Sequence, residues 1–130
     1  MAFYKKQKLG KKWYPRAVTG KSPFTTDDVA ARLSKISTVS RGDTYAVLEN
    51  LGDVLADMLS TGQSVRLMGI GTFYLTCQSV GQGVDMPEEV SPRQITAVKV
   101  GFIPEYKRGH KGQITEQTLI AEDLEWICLE

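Results

Sequence analysis

The sequence predicts an α+β fold, and two kinds of periodicity support that class. Two segments, about 25–36 and 40–62, place apolar residues at the three- and four-residue spacing of amphipathic helices. Segments before and after them, about 3–18, 65–77 and 93–104, have the alternating character of strands. A chain of 130 residues has the length of one domain with appendages.

Residues 1–24 are predicted to form a basic β-hairpin. Its strands are Phe3–Leu9 and Lys12–Val18, joined across Leu9-Gly10-Lys11. The segment has no acid and seven cations, which are Lys5, Lys6, Lys8, Lys11, Lys12, Arg16 and Lys21.

Two helices should follow the hairpin. Thr25 and Asp28 have the spacing of a capping box at the first helix, and Ser40 and Asp43 repeat it at the second. Gly62 ends the second helix as a C-cap glycine. The broad apolar face of that helix is formed by Val47, Leu48, Leu51, Val54, Leu55, Met58 and Leu59.

The stretch "VRLMGIGTFYL", residues 65–75, predicts two antiparallel strands that meet at a tight turn. Gly69 and Gly71 allow positive φ and close backbone approach at this corner. A third strand is predicted in "RQITAVKVGFIP", residues 93–104. Between them, "QSVGQGVDMPEEVSP" predicts an arm or a long loop, and it contains no cation.

The C-terminal segment is predicted to be an acidic helix capped by Thr115. Its narrow apolar stripe consists of Ile120, Leu124, Ile127 and Cys128. Three roles are open for such a helix. It covers an apolar patch of its own domain, it docks on a partner, or it folds over the basic hairpin and mimics a polyanion.

The net charge of +1 conceals a gradient along the chain. Residues 1–24 sum to +7, residues 25–112 to −1 and residues 113–130 to −5. Any electrostatic function must therefore be local.

Composition argues against several other classes of protein. Two distant cysteines, Cys77 and Cys128, and the single histidine His110 indicate neither a disulfide framework nor a metal site. We expect no membrane span and no secretory signal, hence a soluble intracellular protein. No acid lies in an apolar pattern that would raise a carboxyl pKa for catalysis, so we expect no enzyme, cofactor or small-molecule substrate.

The order of these elements resembles the HU and integration-host-factor family of bacterial histone-like proteins, over about residues 25–108. The residues that carry the resemblance are "VRLMGIGTFYL" and "VKVGFIP". Gly69, Gly71, Thr72 and Phe73 match the family's glycine corner, and Phe102 with Pro104 matches its "F-x-P" motif. The basic N-terminal strand pair and the added C-terminal segment make the chain similar to a divergent branch associated with Bacteroides-type bacteria.

The resemblance implies an HU-like architecture, with a two-helix base and a three-stranded antiparallel sheet carrying an arm. To this the chain adds the N-terminal hairpin and the helical tail. The expected boundaries are 1–24 for the hairpin, 25–108 for the DNA-binding and dimerisation domain and 109–130 for the tail. The family forms intertwined homodimers that bend duplex DNA with arms in the minor groove. The expected structural corner is Gly69, Gly71 and Phe73, and the expected dimer core is Leu48, Leu51, Val54, Leu55, Met58, Phe73 and Phe102.

This chain departs from the family at two places. Its arm segment carries Asp85, Glu88 and Glu89 where the family has arginine and lysine. The only wedge it offers for insertion between bases is Met86-Pro87, whose alternative is a turn in a loop. Glu105 and Tyr106 replace the family's glycine-lysine pair after "F-x-P". An acidic arm would be repelled by DNA, so the cations must act elsewhere.

The candidate DNA-binding cations therefore come from three segments. The hairpin cations have two possible roles. They contact phosphates, with the aromatic residues interleaved between them, or they only protect a solvent-exposed strand edge from aggregation. Three further cations, Arg66, Arg93 and Lys99, are predicted on sheet strands. They form the floor of the DNA-binding saddle, or they are ordinary strand residues that face solvent. The complete candidate set is Lys5, Lys6, Lys8, Lys11, Lys12, Arg16, Arg66, Arg93, Lys99, Lys107, Arg108 and Lys111.

The leading hypothesis is a non-enzymatic, histone-like protein of the bacterial nucleoid that binds and condenses double-stranded DNA as a homodimer with low sequence specificity. The alternative is an HU-fold scaffold or protein-interaction module that has lost DNA binding, for which the acidic arm is the evidence. A phosphate loop at Gly69-Ile70-Gly71 is disfavoured, because the third glycine and the following helix are missing.

Overall fold

The structure is a computed structural model that describes residues 1–81 and 83–129. Within these residues it contains two helices and three small sheets, which confirms the α+β class. The chain divides into two units, Met1–Leu48 with Ile120–Glu130, and Glu49–Leu119. The elements in chain order are β1 (Ala2–Leu9), β2 (Lys12–Val18), α1 (Thr26–Ile36), α2 (Arg41–Leu59), β3 (Val65–Leu67), β4 (Gly71–Gln78), β5 (Ala97–Pro104), β6 (Tyr106–Arg108), β7 (Ile114–Gln117) and β8 (Trp126–Cys128).

The predicted N-terminal hairpin is confirmed. Strands β1 and β2 pair in antiparallel register with Leu9 opposite Lys12, so Gly10 and Lys11 form a two-residue turn. Gly10 has φ of +67°, which the tight hairpin turn requires.

The prediction of a C-terminal helix is wrong. Thr115 lies in β7, and Trp126–Cys128 forms β8, which adds in parallel to the free edge of β1. The amide of Ala2 donates to the Glu125 carbonyl at 2.8 Å, and the amide of Leu129 donates to the Tyr4 carbonyl at 3.0 Å. The free edge of β1 provides hydrogen-bond partners for the backbone of an extended segment. A helix here would gain little, because its narrow apolar stripe would bury few side chains.

Both predicted helix starts are confirmed. The Asp28 amide donates to the Thr25 hydroxyl at 3.3 Å, and the Thr25 amide donates back to the Asp28 carboxylate at 2.8 Å. These hydrogen bonds from Thr25, backbone first, lower the pKa of Asp28. At α2 the Ser40 hydroxyl accepts from the Asp43 amide at 3.1 Å. Gly62, with φ of +88°, follows the last turn as predicted.

Strands β3, β4 and β5 form the predicted three-stranded antiparallel sheet, in that order. Because cross-strand partners share a face, the register separates the side chains into two sets. The apolar face contains Val65, Leu67, Phe73, Leu75, Cys77, Val98, Val100, Phe102 and Pro104. The polar face contains Arg66, Thr72, Tyr74, Thr76, Gln78 and Lys99, together with Ala97, Gly101 and Ile103.

The glycine corner between β3 and β4 forms as predicted. Gly69 has φ of +78°, and the amide of Ile70 donates to the Leu67 carbonyl at 3.1 Å. Gly71 has φ of +155°, and a Cβ there would lie 2.3 Å from the backbone oxygen of Ile103. Only glycine lets β4 pass so close to β5 at this point.

Glu105 anchors the corner from the residue after β5. Its carboxylate accepts from the Arg66 guanidinium at 2.9 Å and from the Gly69 amide at 2.8 Å. The hydrogen bond from Arg66, followed by that from Gly69, holds the pKa of Glu105 below its ordinary value. Thr118 adds a second tie, because its hydroxyl donates to the Gly69 carbonyl.

The segment between β4 and β5 is a long loop with two 3₁₀ turns, Pro87–Glu89 and Pro92–Gln94. The described residues from 79 to 96 contain no strand, so the loop alternative holds there rather than a β-ribbon arm; Gln82 lies outside the described residues. The placement of Arg93 on a strand is wrong, since it lies in the second turn. Pro92 begins this turn and the Ser91 amide donates to the Gln94 side chain at 2.9 Å, so pairing with β4 starts only at Ala97.

Burial in the single chain is slight. Among the described residues the buried apolar side chains are Ala30 and Leu59. Of the seven predicted dimer-core residues, Val54, Met58 and Phe102 are exposed, and Leu48, Leu51, Leu55 and Phe73 are half-buried. The rings of Phe73 and Phe102 pack with centroids 4.9 Å apart.

We expect Gly71→Ala to lower the free energy of unfolding by roughly 2–4 kcal/mol, because the new Cβ meets backbone and the φ is strained. Chemical denaturation measures the change. The control is Gly52→Ala in α2, where a Cβ meets nothing within 4 Å; it should stabilise by about 0.5–1 kcal/mol. Equal effects of the two substitutions would contradict the structure of the corner.

We also expect Glu105→Gln to reduce thermal stability at neutral pH. The pKa of Glu105 is lowered by folding, so its contribution is present above the ordinary glutamate pKa of about 4.3 and is lost as the pH falls through the lower native value. Melting temperatures of both proteins from pH 7 down to pH 3 should therefore converge at acid pH. Glu49→Gln, which changes an exposed carboxylate of α2, serves as the control. A difference that persists at acid pH would show that the charge of Glu105 is not its source.

Candidate nucleic-acid interface

The strand register divides the cations of the N-terminal hairpin between two faces. Lys5, Lys12 and Arg16 point to one side, which we call the cationic face. Lys6 and Lys8 point to the other side with Tyr4 and Trp13, which we call the aromatic face. Lys11 lies in the turn between the strands. The sequence grouped all six cations together. The register shows that they lie on two faces and in the turn, so a single flat partner cannot contact all of them.

The cationic face has no internal compensation. Lys5 and Arg16 lie directly opposite each other, an arrangement of like charges that destabilises a strand pair. Ion pairs within residues 1–81 and 83–129 join Arg41 to Asp27, Arg66 to Glu105 and Lys107 to Glu116, and none includes a hairpin cation. The hairpin therefore presents positive charge that an external anion can neutralise.

The aromatic face forms a groove of about 770 Å³. The ammonium of Lys8 lies 6.0 Å from the centroid of the Trp13 ring, in the range of a cation–π contact. The indole of Trp126 comes from β8, which the sequence assigned to a helix, so its contribution was missed. The lining residues on this face are Tyr4, Lys6, Trp13, Pro15, Ala17 and Trp126, and Tyr14, which the register assigns to the cationic face, also contacts the groove.

Two predicted sheet cations do share a face. Arg66 on β3 and Lys99 on β5 both belong to the polar face of the central sheet. Arg66 forms an ion pair with Glu105, whose carboxylate offsets part of its charge. Lys99 enters no ion pair within the described part of the chain. Of this pair, Lys99 is the better candidate for a phosphate contact.

The cations after β5 lie on a second small hairpin, β6–β7. The Lys107 ammonium pairs with the Glu116 carboxylate at 3.3 Å. The Arg108 guanidinium donates to the Gly112 carbonyl at 2.9 Å and lies 5.4 Å from the Tyr106 ring centroid. Lys111 lies in the connecting turn. Two of the three cations are thus held by local partners, which neighbouring positions in the sequence did not reveal.

The expected wedge, Met86-Pro87, lies at the start of the first 3₁₀ turn of the long loop. Met86 is exposed, and Glu88 and Glu89 follow within that turn. Insertion of these residues into DNA stays a prediction.

Residues 1–81 and 83–129 contain neither a candidate metal site nor a candidate membrane span. No three His, Cys, Asp or Glu side chains there lie close enough to hold a metal ion. No helix in that part of the chain has the length and apolarity needed to cross a membrane.

This chain is similar in fold to a bacterial protein of known structure. A protein from Bacteroides vulgatus ATCC 8482, provisionally described as a bacterial DNA-binding protein, has a crystal structure that aligns with a TM-score of 0.54 at 18% identity. The alignment covers 78% of this chain and 41% of that one, so this chain spans less than half of its length. At that identity the likeness shows the fold alone. No curated protein matches the chain at a significant level.

The sequence itself matches a defined family over residues 2–118, most of the chain. That match includes the N-terminal hairpin, both helices and the central sheet, and it confirms the resemblance to the HU proteins. The chain therefore belongs to the HU-HIG family, HU domains fused to a winged helix–turn–helix, an immunoglobulin-like domain or a glycine-rich motif.

Proposed function

We propose that this protein is an architectural DNA-binding protein that binds duplex DNA as a homodimer with low sequence specificity. Membership of an HU family supports the class of function. The observation that carries the proposal is the cationic face of the N-terminal hairpin, where Lys5 lies opposite Arg16 without any acid. A phosphate backbone supplies the anions that such a surface lacks.

Contacts with the phosphate backbone of DNA give affinity without reading the bases. Phosphate contacts position a protein on DNA but carry no sequence information directly. The long loop after β4 contains Asp85, Glu88 and Glu89, and its one cation is Arg93. We therefore assign duplex binding to Lys5, Lys12 and Arg16, assisted by Lys11 in the turn and Lys99 on the sheet, rather than to the loop.

Apolar side chains that are exposed in the single chain support the proposal of a homodimer. Leu75 is 45% exposed and its cross-strand partner Val100 is 60% exposed, both on the apolar face of the central sheet. Val54 and Met58 on α2 are also exposed. Soluble proteins rarely leave a contiguous apolar patch such as this sheet face uncovered. A second copy that presents the same surface would bury it by two-fold symmetry.

A protein acting in this way would lie on chromosomal DNA in the bacterial cytoplasm. The competing function, an HU-fold module that binds only proteins, has the acidic loop in its favour. It becomes the conclusion if duplex binding is absent at low salt.

The duplex assignment is tested by fluorescence anisotropy of a labelled mixed-sequence duplex at a series of salt concentrations. We expect binding to weaken linearly on a logarithmic scale, by roughly 0.9 unit for each phosphate that the protein neutralises. The triple variant Lys5→Gln, Lys12→Gln and Arg16→Gln should bind much more weakly, and its salt slope should be smaller by roughly 0.9 for each phosphate left without a cation. Lys35→Gln on α1 is the control, since it removes a cation outside the hairpin.

Two results would reject this assignment. One is a triple variant that binds duplex like the wild type, which would exclude the cationic face. The other is no binding by the wild type at low salt, which would favour the module that binds only proteins.

The homodimer is tested by analytical ultracentrifugation at micromolar concentration. We expect the mass of two chains for the wild type. Leu75→Glu should raise the dissociation constant by at least about 100-fold, because a buried unpaired charge costs several kcal/mol. Thr76→Glu, the next residue of β4 on the opposite face, should leave the dimer intact. A folded wild-type monomer would exclude the dimer, and equal effects of both variants would exclude this apolar face as its interface.

A further inference from the structure

We propose that the aromatic face of the N-terminal hairpin binds unpaired nucleobases of single-stranded DNA, by stacking on Trp13 and Trp126. This activity goes beyond the duplex binding proposed above, which uses phosphates and the opposite face of the same hairpin. It does not depend on that function, because the two faces use different side chains.

The two indoles are open to a ligand. Trp13 is 64% exposed and Trp126 is 53% exposed, although indole is among the most costly side chains to leave in water. They line one groove together with Tyr4, and Pro15 and Ala17 form its apolar remainder. A groove of about 770 Å³ lies within the usual range for sites that hold small organic groups such as bases.

The charge of the groove indicates what the aromatic residues bind. Lys6 lines the groove and Lys8 lies over the Trp13 ring, whereas none of the lining residues is acidic. Aromatic platforms flanked by cations are the arrangement with which proteins hold single strands, because bases stack while the phosphates are neutralised. A proline-rich peptide also suits an aromatic groove, but it gives no role to the lysines.

A duplex does not fit the groove in the same way. Its bases are already stacked on one another and cannot offer their faces to an indole. Binding on the aromatic face therefore requires unpaired bases, as in single strands, gaps or frayed ends.

One side chain of the groove lies beyond the residues that match the family. Trp126 comes from β8, and the family match ends at residue 118. The parallel pairing of β8 with β1 places Trp126 beside Ala2 and Cys128 beside Tyr4, on the face that carries Trp13. Residues outside the shared domain thus complete the site.

The chain contains its own reporter for this proposal. Trp13 and Trp126 are its two tryptophans, so all indole emission comes from the groove. We would titrate the full chain with an unlabelled short thymidine oligonucleotide and record tryptophan fluorescence. Matched titrations would use an abasic oligonucleotide of equal phosphate count, a duplex of equal length and a proline-rich peptide. Saturable quenching by the thymidine oligonucleotide, and not by the other three, is the expected result.

Substitutions then identify the side chains that stack. Trp13→Leu and Trp126→Leu should each weaken single-strand affinity by roughly tenfold, as expected for the loss of one stacked base. Trp126→Phe should retain most of the affinity, because it keeps an aromatic face. Phe24→Leu is the control, since Phe24 is exposed but packs with Arg32 outside the groove. Circular dichroism would check that each variant remains folded.

Several results would overturn the proposal. Quenching by the abasic oligonucleotide or by the duplex to the same extent would show that phosphates act without bases. Quenching by the proline-rich peptide alone would assign the groove to a protein partner, and no quenching by any ligand would leave it without this activity. The triple variant of the cationic face separates the two functions, because it should lose duplex binding and keep base-dependent quenching.

Discussion

The alternation of side chains across paired strands is the constraint on which the surfaces of this protein depend. In the N-terminal hairpin the register of β1 with β2 places Lys5 opposite Arg16 on one face and Lys8 opposite Trp13 on the other. In the central sheet the same rule places Leu75 with Val100 and, on the reverse side, Thr76 with Lys99. A shift of one residue in either pairing would turn the side chains of one strand to the opposite face and disrupt the surfaces of that sheet.

The central sheet depends on a corner that Glu105 holds in place. Gly71 lets β4 pass close to the backbone of Ile103, and the Glu105 carboxylate ties the Gly69 amide to Arg66. Where HU proteins have a glycine-lysine pair after the "F-x-P" motif, this chain uses the same place for an internal anchor. The consequence is electrostatic, because the Glu105 carboxylate pairs with Arg66, a cation on the polar face of the sheet.

Availability of charge, rather than its total, distinguishes the candidate DNA-binding cations. Arg66 and Lys107 have carboxylate partners, and Arg108 is bound to a carbonyl and an aromatic ring. The hairpin cations have no acid in their own segment, and Lys5 and Arg16 oppose each other. A chain with net charge of only +1 can therefore present a local surface suited to a polyanion.

The sequence by itself determined the local features of this protein. Thr25 with Asp28, Ser40 with Asp43 and the glycines of the corner act through neighbours a few residues away, so their spacing was enough to predict both helices and the turn. The alternating segments predicted β1 to β5, although β5 begins only after the 3₁₀ turn Pro92–Gln94, and they did not predict β6, β7 or β8. Only the tertiary structure decided what distant residues do: β8 pairs with β1, Trp126 joins Trp13, and Glu105 compensates Arg66. The physical reason is that a strand edge, a guanidinium and an exposed ring each accept many partners, and the folded backbone selects among them.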